Sequence, residues 1–131
     1  MDEKIKYWIE LAEYDLETAD VMLKSKRYLY VGFMCHQAIE KAFKALYVSV
    51  KNDMPPYTHN LDYLAEKTET YDNLSEDYKD IIDLLTPLNI EARYPNHKEK
   101  LMKDLNHTKC LRIISSTKEL FEWIKTQLQN V

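Results

Sequence analysis

An arginine with fixed positive charge and a histidine able to exchange a proton near neutral pH stand close together in the stretch Arg93-Tyr94-Pro95-Asn96-His97. That pairing suits a phosphodiester: a guanidinium holds phosphate oxygens through its fork of N–H groups, and an imidazole can take or return a proton. Pro95 disfavours helical backbone at Tyr94 and has no amide proton, so a preceding helix is expected to end near Arg93 and leave both residues at a corner. A plain helix end accounts for the same cations without any ligand, because the helix dipole favours positive charge there.

The charge around this corner is uneven. The chain of 131 residues carries a net charge of −4. Residues 93 to 112 hold Arg93, Lys98, Lys100, Lys103, Lys109 and Arg112 against Glu99 and Asp104, a local balance of +4 that leaves −8 for the rest. A local field of this kind can attract a phosphate-rich ligand to an acidic molecule. Gly32 is the only glycine, which excludes the glycine-rich phosphate cradles of P-loop and dinucleotide folds. Any nucleotide or RNA must therefore be held mainly by side chains. Cys35 and Cys110 both fall on apolar helical stripes and read as buried thiols. His36, His59, His97 and His107 form no close-spaced pair, and there is no CxxC, so neither a metal site nor a cofactor is expected.

The elements that must position these residues are helical. Ile5, Trp8, Ile9, Ala12, Leu16, Ala19 and Leu23 recur at spacings of three and four, one stripe of a long first helix. A short connection near Ser25 to Tyr28 leads to a second helix running to about Lys51. Cys35, Ala38, Ile39, Ala42, Phe43, Ala45, Leu46 and Val50 share one side of it; His36, Gln37, Glu40, Lys41, Lys44 and Tyr47 share the other and read as a solvated face with a Glu40 to Lys44 pair. The small residues Gly32, Ala38, Ala42 and Ala45 allow a neighbouring helix to approach closely. Asn52 to His59, with two prolines, reads as a loop. Thr58 or Asn60 then caps a short helix containing Leu61, Leu64 and Ala65. His59 is placed to cap or pack that helix, and no chemistry is assigned to it.

Ser75 is the expected cap of a third long helix with Tyr78, Ile81, Ile82, Leu85 and Leu88 on one stripe, kinked by Pro87. A final helix carries Cys110, Ile113, Ile114, Thr117, Phe121, Ile124 and Leu128. Asn96 with Glu99 has the form of a capping box for its start, and Asn106 offers an equivalent one. The pattern predicts an all-α, single-domain protein over 1–131: an up-and-down antiparallel four-helix bundle with an additional short helix in the connection between the second and third long helices. The balance of 45% hydrophobic and 31% charged residues is that of a soluble protein without a membrane span. The start Met1-Asp2-Glu3-Lys4 has no signal-peptide pattern, so a cytoplasmic location is expected. Ten tyrosines and two tryptophans exceed what such a bundle interior readily takes, which predicts a homodimer formed on a helix face.

Four stretches resemble the motifs of HEPN domains. Cys35-His36-Gln37-Ala38-Ile39-Glu40-Lys41-Ala42-Phe43-Lys44-Ala45-Leu46 is similar to the second-helix pattern HxQQAxEKxLKAL of that family. Thr58-His59-Asn60-Leu61 resembles its THxL motif, Glu91-Ala92-Arg93-Tyr94-Pro95 its EARYP motif, and Tyr7-Trp8-Ile9-Glu10-Leu11-Ala12-Glu13-Tyr14-Asp15-Leu16 its WLxxAexDL opening. The resemblance spans nearly the whole chain, in order. It implies nucleotide binding, and for some members metal-independent ribonuclease activity in which two subunits place an Arg-x4-6-His motif in a shared cleft. Other members act beside a minimal nucleotidyltransferase in toxin–antitoxin pairs. Here three residues separate Arg93 from His97, shorter than the ribonuclease pattern.

The reading that follows is a homodimeric nucleotide- or RNA-binding module, paired with a nucleotidyltransferase partner, whose contact candidates are Arg93, Tyr94, Asn96, His36, Lys41 and Lys44. The alternative is an endoribonuclease working through Arg93 and His97, with histidine moving the 2′-hydroxyl proton and arginine stabilising the attacked phosphate. A second alternative is a helical adaptor without catalysis.

Overall fold

The computed structural model describes residues 2–91, 100 and 103–129. The chain folds into α1 (Glu3–Lys24), α2 (Tyr28–Lys51), the short α3 (Leu61–Lys67), a 3-10 turn at Tyr71–Asn73, α4 (Glu76–Glu91) and α5 (His107–Gln129). Four of the five helix starts are capped by a side chain, while α2 begins after Arg27 without one. The side chains of Asp2, Asn60, Ser75 and Asn106 accept hydrogen bonds from the backbone N–H of Lys4, Tyr63, Tyr78 and Lys109, satisfying donors that the first helical turn leaves open. Between the two candidates at α3, Asn60 is the cap, and Thr58 instead accepts from the Asn60 amide. At the last helix the cap is Asn106; Lys103 and Asp104 are helical as well, but Leu105 and Asn106 break the run.

The ends are unusual because glycine is scarce. Lys26, Asn52 and Glu69 take left-handed backbone at φ 62°, 51° and 63°, in the turns after α1, α2 and α3. Each spends about 1 kcal/mol that a glycine would not. In return the amide of Arg27 reaches the Met22 carbonyl at 2.8 Å and that of Thr70 the Ala65 carbonyl at 3.0 Å, closing the last turns.

α2 is the centre of the bundle and packs against α1, α3, α4 and α5. Of its predicted stripe, Cys35, Ala38, Ile39, Ala42, Phe43, Ala45 and Leu46 are fully buried and Val50 is half-buried; Val31, one turn before Cys35, is fully buried as well. Small residues set the spacing: a Cβ added at Gly32 would come within 2.6 Å of Leu88 Cδ1 on α4. The antiparallel sense of α1 and α2 is fixed by cross-contacts, with Trp8 beside Lys44 and Asp15 bonded to Lys41. α4 and α5 run antiparallel in the same way, Tyr78 packing on Trp123 and Ile81 lying in one groove with Ser116 and Glu119. The four-helix bundle with its extra short helix is thus the observed architecture.

Pro87 lies within α4, which runs on past it to Glu91. The Thr86 hydroxyl donates to the Ile82 carbonyl at 2.8 Å in the turn that Pro87 follows. No helix among the described residues is long and apolar enough to cross a membrane.

Candidate functional site

The polar side of α2 is where the largest departure from expectation lies. His36, Glu40 and Lys44 follow one another at intervals of four and so form one row on the helix. They are only 1%, 3% and 7% exposed. The solvated face predicted for them is instead enclosed, because Trp8 of α1 covers Lys44 and the loop before α3 brings His59 over Glu40. A helical wheel contains neither contact, since both come from residues distant in sequence.

Glu40 is the hub. One carboxylate oxygen accepts from His59 Nδ1–H at 2.8 Å, and the other accepts from Lys44 Nζ at 3.0 Å. A buried carboxylate is tolerable only with such partners, and here both of its oxygens are used. The predicted Glu40 to Lys44 pair therefore exists, as a buried bond rather than a surface one. Lys44 Nζ also sits 5.6 Å from the Trp8 ring centroid, a cation–π contact that further shields the ammonium.

His59, to which the sequence assigned packing or capping and no chemistry, is the residue whose role changes most, since its ring bonds Glu40 on α2. Its signal was present: a histidine directly before a capping asparagine, in a loop stiffened by Pro55 and Pro56. Because the Glu40 carboxylate engages Nδ1, Nε2 is the ring nitrogen left for another partner. The side chain is part-exposed, unlike its partners, and the Tyr57 ring lies beside it with centroids 6.3 Å apart.

His36 lies one turn before Glu40 and behaves differently. Its Nδ1 stands 3.9 Å from the Glu40 carboxylate, too far for a hydrogen bond, and has no partner among the described residues. Burial pushes this imidazole down to about 4; Glu40 opposes that shift without cancelling it. The ring is therefore neutral near pH 7.

Lys41 and Gln37 complete the row's flank. Lys41 Nζ donates to Asp15 at 2.6 Å, and Gln37 donates to the Asn89 side chain on α4 at 2.8 Å. Asn89 stands four residues before Arg93 in the sequence. Arg93, Tyr94, Asn96 and His97 themselves lie outside the described residues. Of the predicted contact residues, the structure thus brings His36, Lys41 and Lys44 together along one face of α2, with His36 and Lys44 inside it and Lys41 at its edge.

Among the described residues no three His, Cys, Asp or Glu side chains are placed to hold a metal ion. Lys44 occupies the Glu40 oxygen that a cation would need. Both cysteines are free and buried, with burial raising the Cys35 thiol to about 12 and the Cys110 thiol to about 11. Neither is a nucleophile at neutral pH.

The family model described as HEPN domain matches residues 5–127. The crystal structure of TT1696 from Thermus thermophilus superposes with a TM-score of 0.81 over 96% of this chain and 99% of that one, at 17% identity. The structure of ST0689, described as an archaeal HEPN homologue, superposes with a TM-score of 0.73 over 97% and 99%, at 21% identity. No curated protein matches the chain.

Proposed function

The chain belongs to the HEPN domain family, and we propose on that basis that it is a nucleotide- or RNA-binding module that works as a homodimer and docks with a minimal nucleotidyltransferase. The observation that supports this reading is the bond from His59 to Glu40 at 2.8 Å, which joins the two motif-bearing stretches, residues 35–46 and 58–61, into one polar cluster. The cluster offers a part-exposed imidazole and the edge cation Lys41. Arg93, Tyr94 and Asn96, four to seven residues after Asn89 in the sequence, supply the cation and polar groups for phosphate contact in this reading.

The test is binding by the full chain. Mononucleotides, dinucleotides and a short single-stranded RNA are titrated while tryptophan fluorescence and melting temperature are followed. Saturable binding that weakens about tenfold or more in Arg93→Ala supports the reading. No shift at millimolar ligand would leave a helical adaptor as the function. Cleavage of the RNA in EDTA, lost in both Arg93→Ala and His97→Ala, would replace binding with catalysis.

A further inference from the structure

We propose that two copies of this chain pair through the outward face of α1, antiparallel, about a two-fold axis at Tyr14. This rests on the homodimer reading above and names its surface.

The first observation is a second apolar stripe on α1, distinct from the one that faces α2. Tyr7, Leu11, Tyr14, Thr18 and Val21 alternate at spacings of four and three, the seam by which helices pair. At about 100° per residue they fall within about 40° of a common line. Tyr7, Tyr14 and Val21 are all more than half exposed, with Tyr14 at 68%. None of the five carries a charge, along about 21 Å of helix. The stripe is nearly symmetric about its middle: reversed about Tyr14, Tyr7 meets Val21, Tyr14 meets itself, and Leu11 falls one residue, about 1.5 Å along the axis, from Thr18. That self-complementarity is what an isologous interface requires.

The second observation is what lies at the two ends of the stripe. At the Tyr7 end is a groove of about 450 Å³, walled by Tyr7, Trp8, Val48, Met54 and Pro55 and rimmed by Glu3 and Asp53. Lys4 is on the same rim, and Lys6 is engaged with Glu10 at 3.9 Å. At the Val21 end stand the exposed cations Lys24, Lys26 and Arg27; the nearby Asp20 is already paired with Lys118 of α5 at 3.0 Å. Antiparallel pairing sets the cationic turn of each copy against the acid-rimmed groove of the other, twice. Parallel pairing would place cations against cations.

The test uses the full chain in analytical ultracentrifugation. Wild type is expected to be a dimer. Tyr14→Glu, which puts two carboxylates face to face on the axis, is expected to weaken dimerisation about a hundred-fold while leaving the melting curve of the monomer unchanged, because Tyr14 packs little within its own fold. For orientation, Tyr7→Cys is mixed with Val21→Cys and treated with a short bis-maleimide, against which the buried Cys35 and Cys110 give little background. A cross-link between positions 7 and 21, and none between two copies of position 7, is the expected result. A Tyr14→Glu protein that stays dimeric overturns the proposed face and leaves the homodimer reading standing; a monomeric wild type overturns both. Cross-linking of 7 to 7, or a dimer that does not cross-link 7 to 21, overturns the antiparallel arrangement.

Discussion

The first helix leaves three large apolar side chains in water, and the second takes three ionisable ones out of it. α1 presents Tyr7, Tyr14 and Val21 outward, whereas α2 encloses His36, Glu40 and Lys44. Both arrangements run against the ordinary partition of residues. They differ in what completes them. The α2 row is finished within the chain, by Trp8 and His59, whereas Tyr7, Tyr14 and Val21 of the α1 stripe stay more than half exposed. A buried charge with its partners in hand is a structural commitment. An uncovered apolar stripe is an interaction surface in waiting.

The sharpest way to break that contrast is to remove the hub. Glu40→Ala leaves the Lys44 ammonium enclosed and unpaired and His59 without its acceptor, and is expected to cost about 3 kcal/mol of stability in urea unfolding. A loss below about 1 kcal/mol would mean that water already reaches the row, and that α2 has an open face after all.

Acid should find the same row next. His36 is held near 4 in the folded protein against 6.5 as its ordinary value, so the unfolded chain binds a proton that the folded chain refuses. Stability from the neutral ring is complete above about pH 6.5 and falls as pH drops toward about 4, at up to about 1.4 kcal/mol per pH unit. His36→Gln removes this component, so its unfolding free energy should vary less than that of wild type between pH 6.5 and 4. Equal slopes for the two proteins would assign the acid sensitivity elsewhere.

The smallest effect belongs to α1. Tyr14→Ser should change the stability of the monomer by less than about 0.5 kcal/mol, measured at dilution. A larger loss would show that the tyrosine packs onto its own fold and would erase the difference between the two helices.

How much of this was legible follows from which contacts are local. The apolar stripes of α1, α2, α4 and α5 were readable because helical period alone decides which residues point the same way. Ser75 was readable as a cap for the same reason, and Asn60 and Asn106 each as one of two candidates, their bonds reaching only three residues ahead. The fate of His36, Glu40 and Lys44 was not readable. Period correctly separated them from the apolar stripe, but whether that second side meets water depends on Trp8 and on a loop nineteen residues further on. The bond of His59 was hidden for the same reason, since it exists only once the loop lies over α2. Pro87 lies inside α4, as the sequence predicts, and the helix runs on to Glu91.

The three-residue connection from Ser25 to Arg27 has a consequence for the order in which the molecule forms. Closing so short a turn costs little chain entropy, so α1 can find α2 early. The contact of Glu40 with His59 must wait until the loop after α2 has folded back. Trp8 of α1 thus covers Lys44 early, whereas Glu40 is closed over only when His59 arrives. In a stopped-flow chevron Glu40→Ala should accordingly quicken unfolding far more than it slows folding.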